Sequence, residues 1–438
     1  MNEKLLSWGR IPYCPQKAIE PQWQSDIAEE FKKLKTSMIT TLPYGSGRSY
    51  GDCCLAHSSH VLHTKKLNRF IRVDWEGGVL VAESGVTLAE IIDLILPHGW
   101  FLPVTPGTKY VTLGGAVAND VHGKNHHIRG TFASCLRQFG LHRSDLGSMT
   151  CSASENPELF AATIGGLGLT GVITWVEINL LTVESAYIDQ RIIRFSSVRD
   201  FLSLSCEHDA YHEYTVAWID CAAKNNRLGR GILFLGKHTK AKNLEKPSLH
   251  TINVPFTPPF SLINRMSLSV FNKLYYASHP TSVSDSSIHA EKFFYPLDRI
   301  RNWNRAYGRK GFQQYQCVVP IAEAVDAIET ILTEISKAKT GSFLAVLKKF
   351  GSYKSPGLMS FPTEGLTLAL DFPQGVVDDG KLFSILDAIV VNSRGRIYPA
   401  KDAHMTAQDF KKFYPSWETI ESSRDPLLNS KFWKRVTA

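Results

Sequence analysis

The hydrophobic positions follow a helical period in some parts of the chain and a strand period in others. Between residues 20 and 35, Ile27, Phe31 and Leu34 recur at the spacing of one helix face. This spacing predicts an amphipathic helix. The apolar run at residues 38–42 follows it and predicts a strand.

Two further helices carry their own start and stop signals. After a strand predicted at residues 79–82, Thr87 is followed three positions later by Glu90, which is a capping box. A helix is therefore expected from Thr87 through Leu96. Residues 156–165, NPELFAATIG, begin with Asn-Pro and end in glycine, which predicts a second short helix.

Strand-like alternation dominates the second half of the chain. After an alternating strand at Val172–Leu181, the predicted strands are Ile188–Phe195, Tyr214–Ile219, Gly231–Leu235, Gln313–Val319 and Leu366–Phe372. Helical patterns at Ile321–Lys337 and Lys381–Ser393 separate some of them. Strands and helices segregated in this way predict an α+β fold with an antiparallel sheet backed by helices.

One long segment follows neither period. Residues 237–280 are rich in proline, lysine and short polar side chains, a composition that disfavours a packed core. The segment predicts a long loop of low order. A lid that grips a lipid is the alternative interpretation.

Composition narrows the class of protein. The 438 residues are 43% hydrophobic and 21% charged, which indicates a globular chain of two or three domains. The N-terminus lacks an apolar stretch long enough for a signal peptide, and no run of about 18 apolar residues follows. A cytoplasmic location is therefore expected. The eight cysteines lack C-x-x-C spacing and are interpreted as free thiols.

The net charge of +8 comes from short basic clusters rather than one stripe. No nucleic-acid motif accompanies these clusters. They favour a phosphate-bearing substrate or contact with an anionic membrane face.

Candidate chemistry begins with two glycine-rich stretches. Residues 102–129, LPVTPGTKYVTLGGAVANDVHGKNHHIR, mix glycines with polar side chains, as expected where backbone approaches a bulky ligand closely. Residues 43–52, PYGSGRSYGD, place three glycines among Ser46, Arg48 and Ser49, and such a loop exposes backbone N–H groups suited to a pyrophosphate. No G-K-[ST] closes it, so it is not a Walker loop. For residues 102–129, an ordinary glycine-rich surface turn remains the alternative interpretation.

The order of these stretches resembles a known family. PYGSGRSYGD, GVTLAEIIDLILPHGWFLPVTPGT, VTLGGAVANDVHGKNHH and NPELFAATIGGLGLTGVIT together resemble the FAD-binding domain of vanillyl-alcohol-oxidase (PCMH-type) flavoproteins. HGKNHH, within the third of these stretches, and the C-terminal run PAKDAHMTAQDFKKFYP are similar to the decaprenylphosphoryl-β-D-ribose 2′-oxidase family. The resemblance covers nearly the whole chain and thins between about residues 237 and 284.

The resemblance implies an architecture and an activity. The expected domains are an FAD-binding domain over residues 1–185, a substrate domain over 186–395, and a segment over 396–438 that returns to the first domain. The implied reaction is FAD-dependent oxidation of the 2′-hydroxyl of a polyprenyl-phosphoryl pentose, with a separate NAD(P)H-dependent short-chain reductase completing an epimerisation to the arabinose form. Cell-wall polysaccharide synthesis at the inner face of the membrane is the implied setting.

Two other functions stay open at this point. One is an FAD-dependent oxidase of an alditol or a sugar lactone. The other is a flavin-free binding protein on the same scaffold, which the yellow colour of a purified flavoprotein would exclude.

The resemblance also assigns residues. The implied catalytic residues are Lys401, Tyr50 and His122. Lys401 is the first candidate to act on the reacting oxygen, because a desolvated lysine there either stabilises negative charge or accepts a proton. The implied substrate-binding residues are Lys124, Gln314, Gln316, Lys348, Thr367 and Trp218. The implied cofactor-binding residues are Pro43, Tyr44, Gly45, Ser46, Gly47, Arg48, Ser49, Tyr50, Gly51, Gly107, Thr112, Leu113, Gly114, Gly115, Asn119, His122, Gly123, Lys124, Ile173 and Tyr398.

Three positions depart from the family or its wider fold. Ala369 stands where mycobacterial members have cysteine, and Thr367 stands where they have asparagine. We therefore expect that no thiol takes part in turnover and that the substrate pocket is altered. Arg48 occupies the loop position at which a histidine often carries covalent FAD in this broad fold. Non-covalent FAD is therefore expected.

Two competing motifs are weak. Gly166, Gly168 and Gly171 satisfy G-x-G-x-x-G, but the predicted helix precedes them and the strand follows, the reverse of a dinucleotide fingerprint. The resemblance instead places them near the adenosine side of the flavin. His122 and His126 are four apart, yet the glycine after His122 opposes a helix and no carboxylate or cysteine completes a set, so no metal is expected.

Overall fold

The computed structural model describes residues 4–241, 243–245, 251–338, 340–342, 344–375 and 380–438. Residues 242 and 246–250, within the predicted loop of low order, lie outside the described residues. The helices are α1 (Asp26–Thr36), α2 (Leu88–Ile95), α3 (Leu113–Ala118), α4 (His126–Arg129), α5 (Pro157–Thr163), α6 (Val198–His208), α7 (Arg265–Ala277), α8 (Ala290–Phe294), α9 (Ile321–Lys337), α10 (Lys381–Asn392), α11 (Ala407–Phe413), α12 (Trp417–Ser423) and α13 (Lys431–Thr437).

The strands of the first half surround the two glycine-rich stretches. They are β1 (Lys17–Ile19), β2 (Pro43–Tyr44), β3 (His60–His63), β4 (Phe70–Asp74), β5 (Val79–Glu83), β6 (Trp100–Phe101), β7 (Leu136–Arg143), β8 (Gly147–Ser152), β9 (Val172–Asn179) and β10 (Leu181–Thr182).

The strands of the second half mostly belong to one large sheet. They are β11 (Tyr187–Phe195), β12 (Tyr214–Ile219), β13 (Gly231–His238), β14 (Ile252–Asn253), β15 (Ser284–His289), β16 (Ile300–Arg301), β17 (Phe312–Val319), β18 (Val346–Phe350), β19 (Gly365–Pro373) and β20 (Arg396–Ile397).

The first 185 residues contain an antiparallel five-stranded sheet in the order β4-β5-β9-β7-β8 and a small parallel sheet in the order β1-β3-β2. The predicted helix α2 forms as its capping box requires, since Glu90 N–H donates to Thr87 Oγ1 at 3.2 Å and Thr87 N–H donates to Glu90 Oε2 at 2.8 Å. Its apolar face packs against this sheet in a buried cluster with α3. The two glycine-rich stretches therefore rest on a rigid base.

The second half forms an antiparallel sheet in the order β15-β11-β13-β12-β18-β19-β17-β20. Helices α6, α9 and α10 cover one face with a large apolar core. The predicted α+β class is confirmed, with an antiparallel main sheet in each half and helices segregated to one face of the second sheet. The opposite face of this sheet looks toward the glycine-rich stretches.

Residues 398–438 pack back onto the first half of the chain. Ser144 donates its backbone N–H and its hydroxyl to Asp425 at 2.6 Å each, and Arg435 Nη2 lies 2.8 Å from Asp52 Oδ1. This segment thus links the large sheet to the glycine loop. The division into domains at residues 185 and 395 stays a prediction.

Several predicted elements are corrected. Residues 38–42 are not a strand, because Met38 adopts φ 55° in an exposed turn and the strand begins only at Pro43. The glycine-rich stretch at 102–129 contains two short helices, α3 and α4. Within 237–280, a capped helix, α7, replaces part of the expected loop, since Asn264 accepts from the N–H groups of the first turn.

Among the described residues, helices long and apolar enough to cross a bilayer are absent. Three described strands of the large sheet, β15, β18 and β20, were not predicted from the sequence. The run of β18, VLKKF, carries two lysines that hide its alternation.

Candidate active site

The loop after β2 is shaped by close backbone approach. Gly47 has φ +60°, and a Cβ there would lie 2.0 Å from the Tyr44 hydroxyl oxygen. That hydroxyl donates to the Leu6 carbonyl at 2.7 Å. A Cβ on Gly45 would lie 2.3 Å from Thr112 Oγ1, so the loop touches the second glycine-rich stretch directly. Only glycine fits at either position.

Thr112 begins helix α3, which carries the second stretch. Its Oγ1 accepts from Gly115 N–H at 3.2 Å, and Gly114 N–H donates to the Ser84 carbonyl at 2.8 Å. These bonds fix α3 against the end of β5. Gly114 and Gly115 both have ordinary negative φ. Glycine is needed at these positions because a Cβ would lie too close to Ser84 or Thr112, and not because the backbone is left-handed.

These loops form one wall of a cavity of about 510 Å³, a size typical of small-molecule sites. Of the predicted cofactor-binding residues, Gly51 and Leu113 lie outside its lining. A Cβ on Gly51 would lie 1.6 Å from the Asp402 carbonyl oxygen, so this glycine lets two loops pack together. Leu113 is fully buried in the core of the first half.

Several polar atoms on this wall have no protein partner among the described residues. Arg48 Nε, Ser84 Oγ and Asn119 Oδ1 are buried and lack hydrogen bonds. Arg48 stacks its guanidinium 4.1 Å above the Trp8 ring, and burial lowers its pKa. Buried polar groups are normally satisfied, so these atoms fit a polar, anionic cofactor such as FAD in the cavity.

The large sheet forms the facing wall. Strand alternation directs Gln314 and Gln316 of β17 into the cavity while Tyr315 between them points into the helix-covered core. On β19, Thr367 and Ala369 face the same way. Register then aligns these positions, because Lys348 pairs with Thr367, and Gln316 pairs with Ala369. Trp218 of β12 extends this wall beside Tyr275 of α7, their rings 4.9 Å apart.

His122 lies where the two walls meet. Gln316 Nε2 is 3.1 Å from its Nε2, and Lys348 Nζ is 3.1 Å from its Nδ1. Burial, followed by the Lys348 charge, holds the His122 pKa well below its usual value. An amide N–H donating to Nε2 leaves the ring hydrogen on Nδ1. The Nδ1 contact is then a hydrogen bond when Lys348 is a neutral amine.

Three partly buried lysines line the same cavity. Burial lowers the pKa of Lys124 to about 7 and of Lys348 to about 7. It lowers the pKa of Lys401 to about 8, although Asp371 opposes the shift. Among the described residues none of the three forms an ion pair with a carboxylate, and Lys124 Nζ donates to the Phe293 carbonyl instead. A cavity lined by partly buried cations without carboxylate partners is suited to an anion.

Lys401 lies inside the cavity and not on the surface. Its Nζ is 3.8 Å from the centre of the Tyr50 ring. Its neighbour Asp402 does not form a surface pair with it, because Asp402 is buried and its Oδ2 lies 2.8 Å from Arg435 Nη2. Tyr50 N–H donates to the Ala400 carbonyl at 2.9 Å, so backbone bonding holds the lysine segment to the glycine loop.

The remaining predicted residues are also in the lining. Tyr398 donates its hydroxyl to the Asn119 carbonyl at 3.0 Å and so joins the walls. Burial raises the pKa of Tyr50 well above its usual value. Ile173 lies beside Gly168 and Gly171 at one end of the cavity. The assigned roles of all these residues stay predictions, while their convergence on one cavity is a structural finding.

Sequence reasoning missed Asp371, which accepts from Gln314 Nε2 at 2.6 Å. Burial raises the pKa of its carboxyl to about 7. Its place two residues after Ala369 on β19 is a signal that strand alternation offers. Asp371 itself lies outside the cavity lining, and the lining residues that sequence reasoning missed include Trp8, Ser84, Asp298 and Trp303 from distant loops.

A glycine-shaped wall with unpartnered polar atoms, facing a wall of lysine and glutamine, defines a flavin site. Residues 15–145 match the FAD binding domain family, and the protein is an FAD-dependent oxidoreductase. The reversed helix and strand around Gly166, Gly168 and Gly171 agree with this class rather than with a Rossmann fold.

The chain belongs to the decaprenylphosphoryl-β-D-ribose oxidase family. It is 34% identical to that enzyme from Mycolicibacterium smegmatis, over 97% of this chain and 95% of the relative. It is also similar to an L-gulonolactone oxidase from Bos taurus, at 28% identity over 40% of each chain. A putative D-arabinono-1,4-lactone oxidase from Neurospora crassa is 24% identical over 42% of this chain and 33% of its own length. The lactone oxidases match only part of the chain.

Proposed function

We propose that this protein oxidises the 2′-hydroxyl of a polyprenyl-phosphoryl pentose to a ketone, as the first half of a 2′-epimerisation to the arabinose form. The observation that carries this proposal is the group of three partly buried lysines that line the cavity without ion pairs to carboxylates among the described residues. A phosphodiester supplies the missing negative charge. The full-length similarity to a decaprenylphosphoryl-β-D-ribose oxidase supports the same substrate class.

FAD is held by the glycine loops in this proposal. The residues with unpartnered polar atoms, Arg48, Ser84 and Asn119, bind its polar groups. When bound, FAD accepts the hydride of the alcohol C–H bond, which is chemistry that the side chains cannot supply. Arg48 cannot form a histidyl bond to the flavin, so FAD is non-covalent.

The side chains handle the phosphate, the oxygen and the proton. Lys124, whose Nζ lies 4.6 Å from the centre of the Phe293 ring, binds the phosphate. Lys401, as an ammonium, stabilises negative charge on the substrate oxygen as the C–H bond breaks. The pair of Lys348 and His122 accepts the hydroxyl proton, because a lysine with a pKa of about 7 is available as an amine near neutral pH.

The ketone product requires a second enzyme. Reduction from the opposite face completes an epimerisation, so a separate NAD(P)H-dependent reductase is the expected partner. A substrate with a polyprenyl chain resides in a membrane, so the protein is expected to work at its cytoplasmic face.

The test is anaerobic reduction of the bound flavin by different substrates. Polyprenyl-phosphoryl ribose should bleach the flavin spectrum, whereas an alditol or gulonolactone should leave it oxidised. Bleaching by the lactone alone would replace the proposal with a sugar-lactone oxidase, the activity named for the partial relatives.

The mode of flavin attachment is tested separately. Acid precipitation should release all flavin to the supernatant. Flavin that stays with the precipitated chain would contradict the assignment of Arg48 to a non-covalent site.

A further inference from the structure

A basic and apolar surface surrounds one side of the cavity. It consists of residues 251–277 and 299–310, and is called here the 251/299 surface. Nine of the 21 large hydrophobic side chains exposed among the described residues lie on it. They are Ile252, Phe256, Phe260, Leu262, Met266, Val270, Phe271, Leu274 and Ile300. Such a concentration marks an interaction site rather than scattered surface residues.

The two segments are joined into one surface by their backbone. Strand β14 pairs with β16 so that Ile252 faces Ile300. Leu262 N–H donates to the Ala306 carbonyl at 2.9 Å, and Arg305 Nη1 donates to the Val254 and Pro255 carbonyls at 2.9 Å each. The exposed apolar side chains are therefore held by a hydrogen-bonded framework.

Helix α7 has one buried face and one exposed apolar face. Leu268 is buried, and Asn272, also buried, donates to Asp220 Oδ1 at 2.9 Å. On the opposite side, Met266, Val270 and Leu274 recur every four residues and form an exposed stripe. The helix thus covers the cavity with one face and presents hydrophobic side chains outward with the other.

The charge on this surface has one sign. Its two segments contain Arg265, Lys273, Arg299, Arg301, Arg305, Arg309 and Lys310 and no aspartate or glutamate. None of these cations pairs with a carboxylate among the described residues. Two copies of such a surface repel each other, whereas a bilayer that contains anionic lipids attracts it while accepting apolar side chains.

The same surface borders the substrate site. Tyr275 of α7 and Trp303, between Arg301 and Arg305, both line the cavity. We infer that the 251/299 surface docks on an anionic lipid bilayer and brings the cavity to the membrane, so that a phosphoryl sugar enters while its polyprenyl chain remains among the lipids. This inference rests on the proposed function for the substrate and on the surface for the docking.

Vesicle flotation of the FAD-loaded full-length protein tests the docking. The protein should float with vesicles that contain phosphatidylglycerol and far less with vesicles of phosphatidylcholine alone. High salt should release it, because screening weakens attraction to the surface charge. The double variant Met266→Ser/Leu274→Ser should partition at least about tenfold less, since two side chains no longer enter the bilayer.

A matched control removes exposed apolar side chains elsewhere. Met38→Ser/Leu146→Ser changes residues that are 91% and 62% exposed and should float like the parent. Flavin content and circular dichroism should be equal in all variants. Parent protein that stays unbound, or a Met266→Ser/Leu274→Ser protein that floats like the parent, would overturn the inference. A dimer in solution that this variant breaks would overturn it too, by assigning the surface to a second copy.

A soluble substrate separates this inference from the proposed function. Phosphoryl ribose with a short, water-soluble prenyl chain should bleach the flavin of parent and Met266→Ser/Leu274→Ser protein at the same rate. Bleaching without vesicle binding removes only the docking, whereas vesicle binding without bleaching removes only the substrate assignment.

Discussion

The two walls of the cavity are built in opposite ways. The glycine wall, from residues 43–51 and 107–123, is mostly backbone and short side chains held by hydrogen bonds such as that from Gly114 to Ser84. The sheet wall presents long polar side chains, such as Gln316 and Lys348, from a regular antiparallel register. The residues of the first wall are determined by the lack of room for a side chain, and those of the second wall by the polar groups that their side chains carry. Damage to the first should therefore remove the cofactor, and damage to the second should slow turnover while the cofactor stays.

The largest expected effect is on the glycine wall. Gly115→Val should abolish FAD retention. A Cβ at this position would lie 2.9 Å from Thr112 Oγ1, and the two valine methyl groups would extend from α3 beside the cavity. The ratio of flavin to protein absorbance measures retention. Ala89→Val, on α2 and outside the cavity, is the control for a β-branched residue in a helix and should retain full flavin. A Gly115→Val protein that purifies with full flavin would break the contrast between the walls.

The second effect concerns Lys401, where the walls meet. Lys401→Ala should slow anaerobic flavin reduction by roughly 10²–10³-fold, the scale of losing one preorganised donor, with little change in FAD content. Lys401→Arg should rescue poorly, because a planar guanidinium places its charge elsewhere.

Stopped-flow absorbance measures this rate. Lys349→Ala is the matched control, since Lys349 Nζ instead pairs with Asp209 at 2.8 Å. Reduction of the Lys401→Ala enzyme at the parent rate would move the catalytic role to Tyr50 or His122.

The pH dependence of the flavin reduction rate should report the protonation states of Lys348 and Lys401. The Lys348 amine is available above its pKa of about 7, and the Lys401 ammonium is available below its pKa of about 8. The reduction rate should therefore rise through about pH 7 and fall through about pH 8. Lys348→Met should lower the maximum by roughly 10–100-fold and remove the acid limb. An acid limb that survives in Lys348→Met would assign the proton to another group.

The smallest expected effect is an electrostatic one. Asp371 raises the pKa of Lys401 against the effect of burial. Asp371→Asn should therefore move the alkaline limb to lower pH, by roughly 0.5–1 unit for one charge in a partly solvated site. Asp285→Asn, an exposed residue paired with Arg191, should leave the limb in place. An unshifted alkaline limb in Asp371→Asn would show that the charge of Asp371 does not raise the pKa of Lys401.

Part of this molecule is readable from local sequence. The helix α2 follows from Thr87 and Glu90, and the strands β12, β17 and β19 follow from alternation, because these signals act between neighbours in the chain. The glycine loop after β2 also shows its purpose locally, through its density of glycines. The resemblance to a family then supplied the residues of the site, including Lys401.

Tertiary structure decided the rest. Lys348 and Lys349 are adjacent in sequence and equal in chemistry, yet strand pleating sends one into the cavity and the other toward Asp209. The pKa of Asp371 is raised only because folding buries its carboxyl group, and the hydrogen bond from Gln314 opposes this effect. These contacts join residues that are 57, 140 and 226 positions apart in the chain. The sequence alone therefore determined which elements form and which ligand class they suit, and the packing of the two walls decided which side chains meet there and in what protonation state.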